Sequence, residues 1–256
     1  MDAFLLAFIF SLMAGLATIF GALIVFLTHK HNYRILAVGL GFSAGAMIYI
    51  SFVEILPQAI EGFEKIFPTY GEILGISGFF TGVILSAFID RLVPQEYNPH
   101  EKANSSSLRR IGLMSAIAIG VHNFPEGFAT FTATLENPTF GLMIAIAIAI
   151  HNIPEGMAVA LPVYHSSGSR KKAIFYSALS GVAEPLGAVV GALIVFPLFG
   201  DISVSVAFAL IAGVMVFISL DELLPSAREY GQSHDSLYGL FLGMAVMGVS
   251  LILLKL

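Results

Sequence analysis

Two apolar stretches of the chain carry the same polar hexapeptide near their centres. They read IGLMSAIAIGVHNFPEGFATFTAT over 111–134 and FGLMIAIAIAIHNIPEGMAVALP over 140–162. Each is long enough to cross the ~30 Å hydrocarbon core of a bilayer as a helix, which takes about 20 residues. The two copies of the hexapeptide, His122–Gly127 and His151–Gly156, therefore place ionisable groups at the middle of a membrane.

The composition of the whole chain also indicates a membrane protein. Of its 256 residues, 57% are apolar and 11% are charged, whereas about a quarter of the residues of a soluble domain are charged. Cysteine is absent, so a bound metal would have to accept nitrogen and oxygen ligands. The net charge of −5 comes with no basic stripe, which excludes a nucleic-acid-binding surface. The N-terminal stretch lacks a basic n-region and a cleavage site, so we expect a retained first span.

The spacing of the apolar runs predicts an all-α polytopic membrane protein with eight transmembrane helices. We treat 1–256 as a single transmembrane domain, with a polar cytoplasmic loop at about 92–108. The expected spans are 3–27, 34–57, 70–90, 111–134, 140–162, 173–197, 203–225 and 237–254. An even number of spans places both termini on the same side of the membrane.

The basic residues predict the orientation of these spans. Ten of the twelve lie beside the loops that join odd to even spans, namely Lys30, Arg34, Arg91, Lys102, Arg109, Arg110, Arg170, Lys171, Lys172 and Arg228. Only Lys65 and Lys255 lie on the opposite side. Because cytoplasmic loops carry an excess of Lys and Arg, we expect a cell-membrane protein with both termini outside.

A second repeat relates spans 2 and 7. ISFVEILPQA at 50–59 and ISLDELLPSA at 218–227 are identical at six of ten positions. The two spans cross in opposite directions in the predicted orientation, so the match predicts inverted repeats, with spans 1–3 related to spans 6–8. Transporters commonly bind their substrate near the midplane, where such repeats meet.

The composition of the hexapeptide is typical of a metal site. A helix lets residues i, i+1 and i+4 converge, so each copy can present an imidazole, an amide oxygen and a carboxylate. Spans 4 and 5 are antiparallel in the predicted topology, which brings Glu126 towards the level of His151 and Glu155 towards that of His122. Two copies could therefore hold two metal ions.

Glu184, near the centre of span 6, supplies a third carboxylate. Three carboxylates would offset most of the four positive charges of two divalent ions. The alternative is a structural carboxylate that bonds to Ser180 or to a neighbouring helix. Because an ionisable group at this depth costs several kcal/mol unless it is paired or hydrated, we favour the ligand interpretation.

Other polar residues have weaker functional signals. Glu54 and Glu222 lie near the outer and inner ends of their spans, where a role at a mouth of the pathway and plain solvation are equally good interpretations. The remaining histidines, which we expect to be ordinary surface residues, are His29, His31, His100, His165 and His234. GxxxG spacing within the apolar spans favours packing within the bundle over dimerisation and leaves a homodimer open. The four glycine pairs that we interpret in this way are Gly41/Gly45, Gly78/Gly82, Gly187/Gly191 and Gly239/Gly243.

Taken together, these motifs resemble the ZIP (Zrt/Irt-like protein) family of divalent-metal transporters, most closely its ZupT-like bacterial branch. HNxPEG in span 4, repeated in span 5, is the strongest sign. The resemblance implies a 3+2+3 helix bundle that moves Zn²⁺, and often Fe²⁺ and other divalent ions, into the cytoplasm through a binuclear centre. The implied metal ligands are His122, Asn123, Glu126, His151, Asn152, Glu155 and Glu184. Many relatives have a His-rich cytoplasmic loop, whereas this loop contains only His100.

Two other functions compete with divalent-metal uptake. An intramembrane metal-dependent hydrolase would usually carry HExxH, which is absent, and would need a carboxylate as general base. A proton-coupled monovalent-cation exchanger would use the carboxylates as a relay, but paired His and Asn favour transition metals. We therefore expect no enzyme and no catalytic cofactor, with Zn²⁺, Fe²⁺, Mn²⁺ or Co²⁺ as cargo. No GxxxxGK[ST] loop is present to couple nucleotide hydrolysis to transport.

Overall fold

A computed structural model describes residues 3–29, 32–92, 105–200, 202–232 and 234–255. These residues form helices and contain no strand. The α-helices are α1 Ala3–Ala22, α2 Tyr33–Ile50, α3 Leu56–Ile66, α4 Gly71–Leu92, α5 Ser105–Glu136, α6 Pro138–Ser167, α7 Arg170–Val190, α8 Phe196–Phe199, α9 Ile202–Ile218, α10 Leu224–Tyr230 and α11 Asp235–Lys255. Most of the predicted loop at 92–108 lies outside the described residues.

Seven helical segments of the described chain are long and apolar enough to cross a membrane. They are Ala3–Phe26, Tyr33–Ile66, Gly71–Phe88, Gly141–Ser167, Arg170–Ile194, Ile202–Tyr230 and Asp235–Leu253. The chain is therefore an all-helical, multi-pass membrane protein. The remaining predicted span, 111–134, lies inside α5, whose 32 residues are more than a helix needs to cross a membrane. This span is not among the seven apolar segments. The polar residues of the first hexapeptide interrupt its apolar run.

The helices pack in two groups. An inner group consists of α1, α5, α6 and α7, and each of these helices contacts the other three. Around it, α2 packs on α11 and α4 packs on α9. Contacts of α2 with α6 and of α5 with α9 join the two groups. Both hexapeptides lie on helices of the inner group.

Glycines allow the close helix crossings in both groups. A Cβ at Gly45 of α2 would meet the backbone of Leu240 in α11, and one at Gly82 of α4 would meet that of Leu210 in α9. In the inner group, a Cβ at Gly187 of α7 would meet the backbone of α5. All four glycine pairs contact neighbouring helices of the same chain, so the prediction that they serve packing within the bundle is confirmed.

The two related decapeptides have the same local structure. A π-helical turn follows α2 at Ser51–Ile55 and α9 at Ser219–Leu223. In each turn the serine hydroxyl donates a 2.7 Å hydrogen bond to a methionine carbonyl four residues earlier. A proline then occupies the first turn of the following helix, where the wider π turn accommodates a residue without an N–H. The predicted limits of spans 2 and 7 were therefore too short, because the chain continues as α3 and α10.

Candidate metal site

The asparagines and glutamates of the two hexapeptides and Glu184 of span 6 are buried in the inner group of helices. Asn123 and Glu126 lie on α5, Asn152 and Glu155 on α6, and Glu184 on α7. None of the five side chains is more than 1% exposed. The helices α5, α6 and α7, which carry these groups, all pack against one another.

Asn152 is the best-defined member of the site. Its side-chain amide nitrogen donates a 2.7 Å hydrogen bond to Oε2 of Glu184 and a 2.8 Å bond to the carbonyl oxygen of Ala14. One side chain of α6 thus links α7 and α1. The amide oxygen of Asn152, Oδ1, is buried and accepts no hydrogen bond from any described residue.

Asn123 holds the corresponding position in the first hexapeptide. Its amide nitrogen lies 3.4 Å from the carbonyl oxygen of Ser180 on α7. The Ser180 hydroxyl donates a 2.8 Å bond to the carbonyl of Ser177. Among the described residues, Glu184 therefore accepts its hydrogen bond from Asn152 of the neighbouring helix α6 and not from Ser180. Of the structural alternative, the bond to Ser180 is wrong, whereas a bond to a neighbouring helix is present.

Glu126 and Glu155 both lie close enough to Glu184 for their charges to interact. Oε1 of Glu184 is buried and has no hydrogen-bond donor among the described residues. Buried anionic oxygens without a donor are costly, and hard divalent cations are the partners that carboxylate and amide oxygens bind. The arrangement thus offers oxygen donors to a cation.

For the two histidines of the predicted ligand set, the structure describes the backbone but not the side chains. His122 lies on α5 and His151 on α6, but their side chains are outside the described structure. Among the side chains that are described, no group of three His, Asp or Glu residues surrounds a point where a metal ion could sit.

A small cavity reaches the site from one side. Glu126 lines it together with Glu54 and Gln58, between isoleucines of α6 and residues of α9. Its volume of about 30 Å³ is enough for a water molecule. Nε2 of Gln58 donates a 2.6 Å bond to Oε1 of Glu54. The sequence analysis missed Gln58, although its position four residues after Glu54 places both on one helix face.

Glu222 occupies the place in the second decapeptide that Glu54 occupies in the first. It lies in the π turn Ser219–Leu223 and is half-buried. The two carboxylates thus have equivalent local backbone.

One histidine differs from its prediction. His165, at the end of α6, is 2% exposed, so the expectation of a surface residue is wrong there. Its Nδ1 lies 2.9 Å from the carbonyl of Leu161 and its Nε2 lies 3.2 Å from that of Asn32. His29 and His234 are exposed as predicted. His31 and His100 lie outside the described residues.

Comparison with known proteins identifies relatives over nearly the whole chain. The sequence model of the family described as ZIP Zinc transporter matches residues 93–251. The zinc transporter ZupT of Campylobacter jejuni is 51% identical, over 97% of this chain and 96% of its own length. Proteins of the same name from Oceanobacillus iheyensis and Streptococcus mutans are also 51% identical, over 99% and 96% of this chain and 100% and 97% of their own lengths.

Proposed function

Because the chain belongs to the ZIP family of zinc transporters, we propose that it takes up divalent metal ions, Zn²⁺ in particular, across a cell membrane. The seven apolar helical segments of its described residues make it a multi-pass membrane protein, and its family indicates a transporter rather than an enzyme. The observation that carries the proposal is the contact of Asn152 with Glu184 beside two further buried carboxylates. Such groups are rare inside membranes and mark ion pathways.

The proposed transport site is binuclear and uses both hexapeptides. Its ligands are His122, Asn123, Glu126, His151, Asn152, Glu155 and Glu184. The closeness of Glu126 and Glu155 to Glu184 supports the site, because carboxylates that repel one another are stabilised by a cation between them. The same nitrogen and oxygen donors suit Fe²⁺, Mn²⁺ and Co²⁺ as additional cargo.

The proposed architecture has eight spans in a 3+2+3 arrangement, with α5 as the fourth span. The proposed repeat makes α1 equivalent to α7, α2 to α9, α4 to α11 and α5 to α6. When each helix is replaced by its equivalent, every principal helix contact corresponds to a contact that is present. The contact of α2 with α11 becomes that of α9 with α4, and the contact of α1 with α6 becomes that of α7 with α5. This correspondence and the shared π turns support an inverted repeat.

The proposed direction of transport is from outside to the cytoplasm, with both termini outside. In this orientation Glu54 and Gln58 lie on the outer side of Glu126, and their cavity is the outer approach to the site. Glu222 is the corresponding carboxylate on the inner side of Glu155. An ion would therefore meet a carboxylate before and after the midplane.

The test is initial Zn²⁺ influx into proteoliposomes. Glu126→Gln and Glu155→Gln keep the side-chain shape and remove the charge. Glu72→Gln is the matched control, because Glu72 is exposed at the start of α4. We expect saturable influx with the wild-type protein and the control, and loss of at least about tenfold with either site variant, as is typical when a group next to a metal is removed.

Two outcomes would contradict the proposal. If folded Glu126→Gln and Glu155→Gln proteins transport Zn²⁺ like the wild type, the transported ion does not use this site. If Na⁺ in excess abolishes Zn²⁺ influx and itself moves against protons, the exchanger is the better interpretation. Influx of Fe²⁺, Mn²⁺ and Co²⁺ in the same vesicles tests the breadth of the cargo.

A further inference from the structure

Thr18 of α1 occupies the place that corresponds to Glu184 of α7. In the proposed inverted repeat, α1 is equivalent to α7 and Gly15 is equivalent to Gly181. These two glycines face each other where the helices cross. A Cβ added to either would overlap the carbonyl oxygen of the other. Counting one turn onward from each glycine leads to Thr18 on one helix and Glu184 on the other.

The backbone contacts of the two residues are matched. The carbonyl oxygen of Glu184 lies against Gly127, the last residue of the first hexapeptide, and that of Thr18 lies against Gly156, the last residue of the second. A side chain larger than hydrogen at either glycine would clash with these oxygens. Each hexapeptide therefore packs against one of the two equivalent positions.

The side chains are matched as well. Oε2 of Glu184 is 3.3 Å from the position of a Cβ on Gly15, and Oγ1 of Thr18 is 3.2 Å from that of a Cβ on Gly181. The asparagines of the two hexapeptides follow the same rule, because Asn152 bonds to the carbonyl of Ala14 and Asn123 to that of Ser180. These two carbonyls are again equivalent in the proposed repeat.

Thr18 differs from Glu184 in its charge and in its hydrogen bonding. Thr18 is completely buried, and its hydroxyl oxygen has no hydrogen-bond partner among the described residues. Threonines inside helices ordinarily bond to a carbonyl three or four residues earlier, as Thr134 does to Thr130. A buried hydroxyl that makes no bond costs free energy, so an oxygen ligand is available at this position.

We propose that the Thr18 hydroxyl is a neutral oxygen ligand for an ion at the midplane site, and that it favours ions with six ligands over Zn²⁺. This inference rests on the proposed transport function. Zn²⁺ usually takes four ligands, whereas Mn²⁺ takes six from oxygen-rich sites. A hydroxyl adds a ligand that strengthens the binding of Mn²⁺ more than that of Zn²⁺, without the negative charge that a second carboxylate would bring.

The test compares Mn²⁺ with Zn²⁺ influx in proteoliposomes. Thr18→Val keeps the shape of the side chain and removes only the hydroxyl, while Thr18→Ser keeps the hydroxyl. Thr134→Val is the matched control, since Thr134 is also buried but bonds within its own helix. We expect Thr18→Val to lower the ratio of Mn²⁺ to Zn²⁺ influx about tenfold, in line with the loss of a group that supports a metal. Thr18→Ser and Thr134→Val should keep the wild-type ratio.

Equilibrium binding of Mn²⁺ to the detergent-solubilised protein, followed by electron paramagnetic resonance, provides a readout that does not depend on transport. If folded Thr18→Val keeps the wild-type ratio of Mn²⁺ to Zn²⁺ influx and binds Mn²⁺ like the wild type, the inference is overturned. If Thr18→Val does not fold, Thr18→Ala carries the same test. Wild-type transport of both metals by Glu155→Gln would overturn the proposed site itself, whereas an inactive Glu155→Gln beside an unchanged Thr18→Val overturns only the role of Thr18.

Discussion

Removal of the hydrogen bond between Asn152 and Glu184 should measurably destabilise the metal-free protein. Asn152 connects α6 to α7 through the Glu184 carboxylate and to α1 through the carbonyl of Ala14. Because both asparagine and glutamate are completely buried, water cannot replace the lost bonds. The informative set is Asn152→Ala, Glu184→Ala and the double variant, which together form a double-mutant cycle.

The expected magnitude follows from the two bonds. In the metal-free protein we assign about 1 kcal/mol to each of the two bonds. Asn152→Ala should therefore lower the free energy of unfolding by roughly 2 kcal/mol. Since Glu184→Ala removes only the first of these bonds, we expect a coupling energy of about 1 kcal/mol between the two positions.

The assay is unfolding by sodium dodecyl sulfate in mixed micelles, with a chelator present so that no metal contributes. Asn137→Ala is the control, because Asn137 is exposed and its side chain accepts a local bond from the N–H of Thr139. That loss should cost about 1 kcal/mol, as for a helix cap. The control thus separates the general cost of an asparagine substitution from the cost of a buried one.

The reasoning would be refuted by additivity. If the double variant loses the sum of the two single losses to within about 0.5 kcal/mol, the residues behave as independent sites. The contact would then contribute nothing specific to the metal-free state. A coupling energy that appears only with bound Zn²⁺ would likewise contradict a preformed contact.

Three further predictions concern packing, the outer cavity and orientation. Gly127→Ala should destabilise the protein by about 1–3 kcal/mol in the same unfolding assay, because the added Cβ overlaps the backbone of α7. Gly120→Ala is the control and should have no destabilising effect, because a Cβ there has only ordinary contacts, the nearest at 3.8 Å. Glu54→Gln should raise the Zn²⁺ concentration for half-maximal influx while the maximal rate stays the same, and an unchanged value would exclude a role in capture. Since the chain has no cysteine, single cysteines introduced at Thr69 and Ser167 can be labelled with a membrane-impermeant maleimide. In intact cells only the cysteine at Thr69 should react, and reaction only at Ser167 would invert the proposed orientation.

Much of the helical fold could be predicted from the sequence, and the sequence also supplied the candidate site residues. Apolar runs of membrane length are a local property, because each residue must individually tolerate the hydrocarbon core. The same holds for the two hexapeptides, whose ionisable residues are expensive at midplane depth and therefore point to a function. The GxxxG spacing predicted close helix crossings, since only small residues allow backbones to approach.

The partners of those residues were decided by the tertiary structure. The bond between Asn152 and Glu184, the cavity that joins Gln58 to Glu126, and the burial of His165 all depend on which helix faces meet. The hexapeptides likewise do not point to Thr18. Its equivalence to Glu184 depends on the crossing of α1 and α7 at Gly15 and Gly181. Hydropathy and motif spacing act along one segment, so they determine what lies in the membrane, whereas contacts between segments determine which of those groups can act on the same ion.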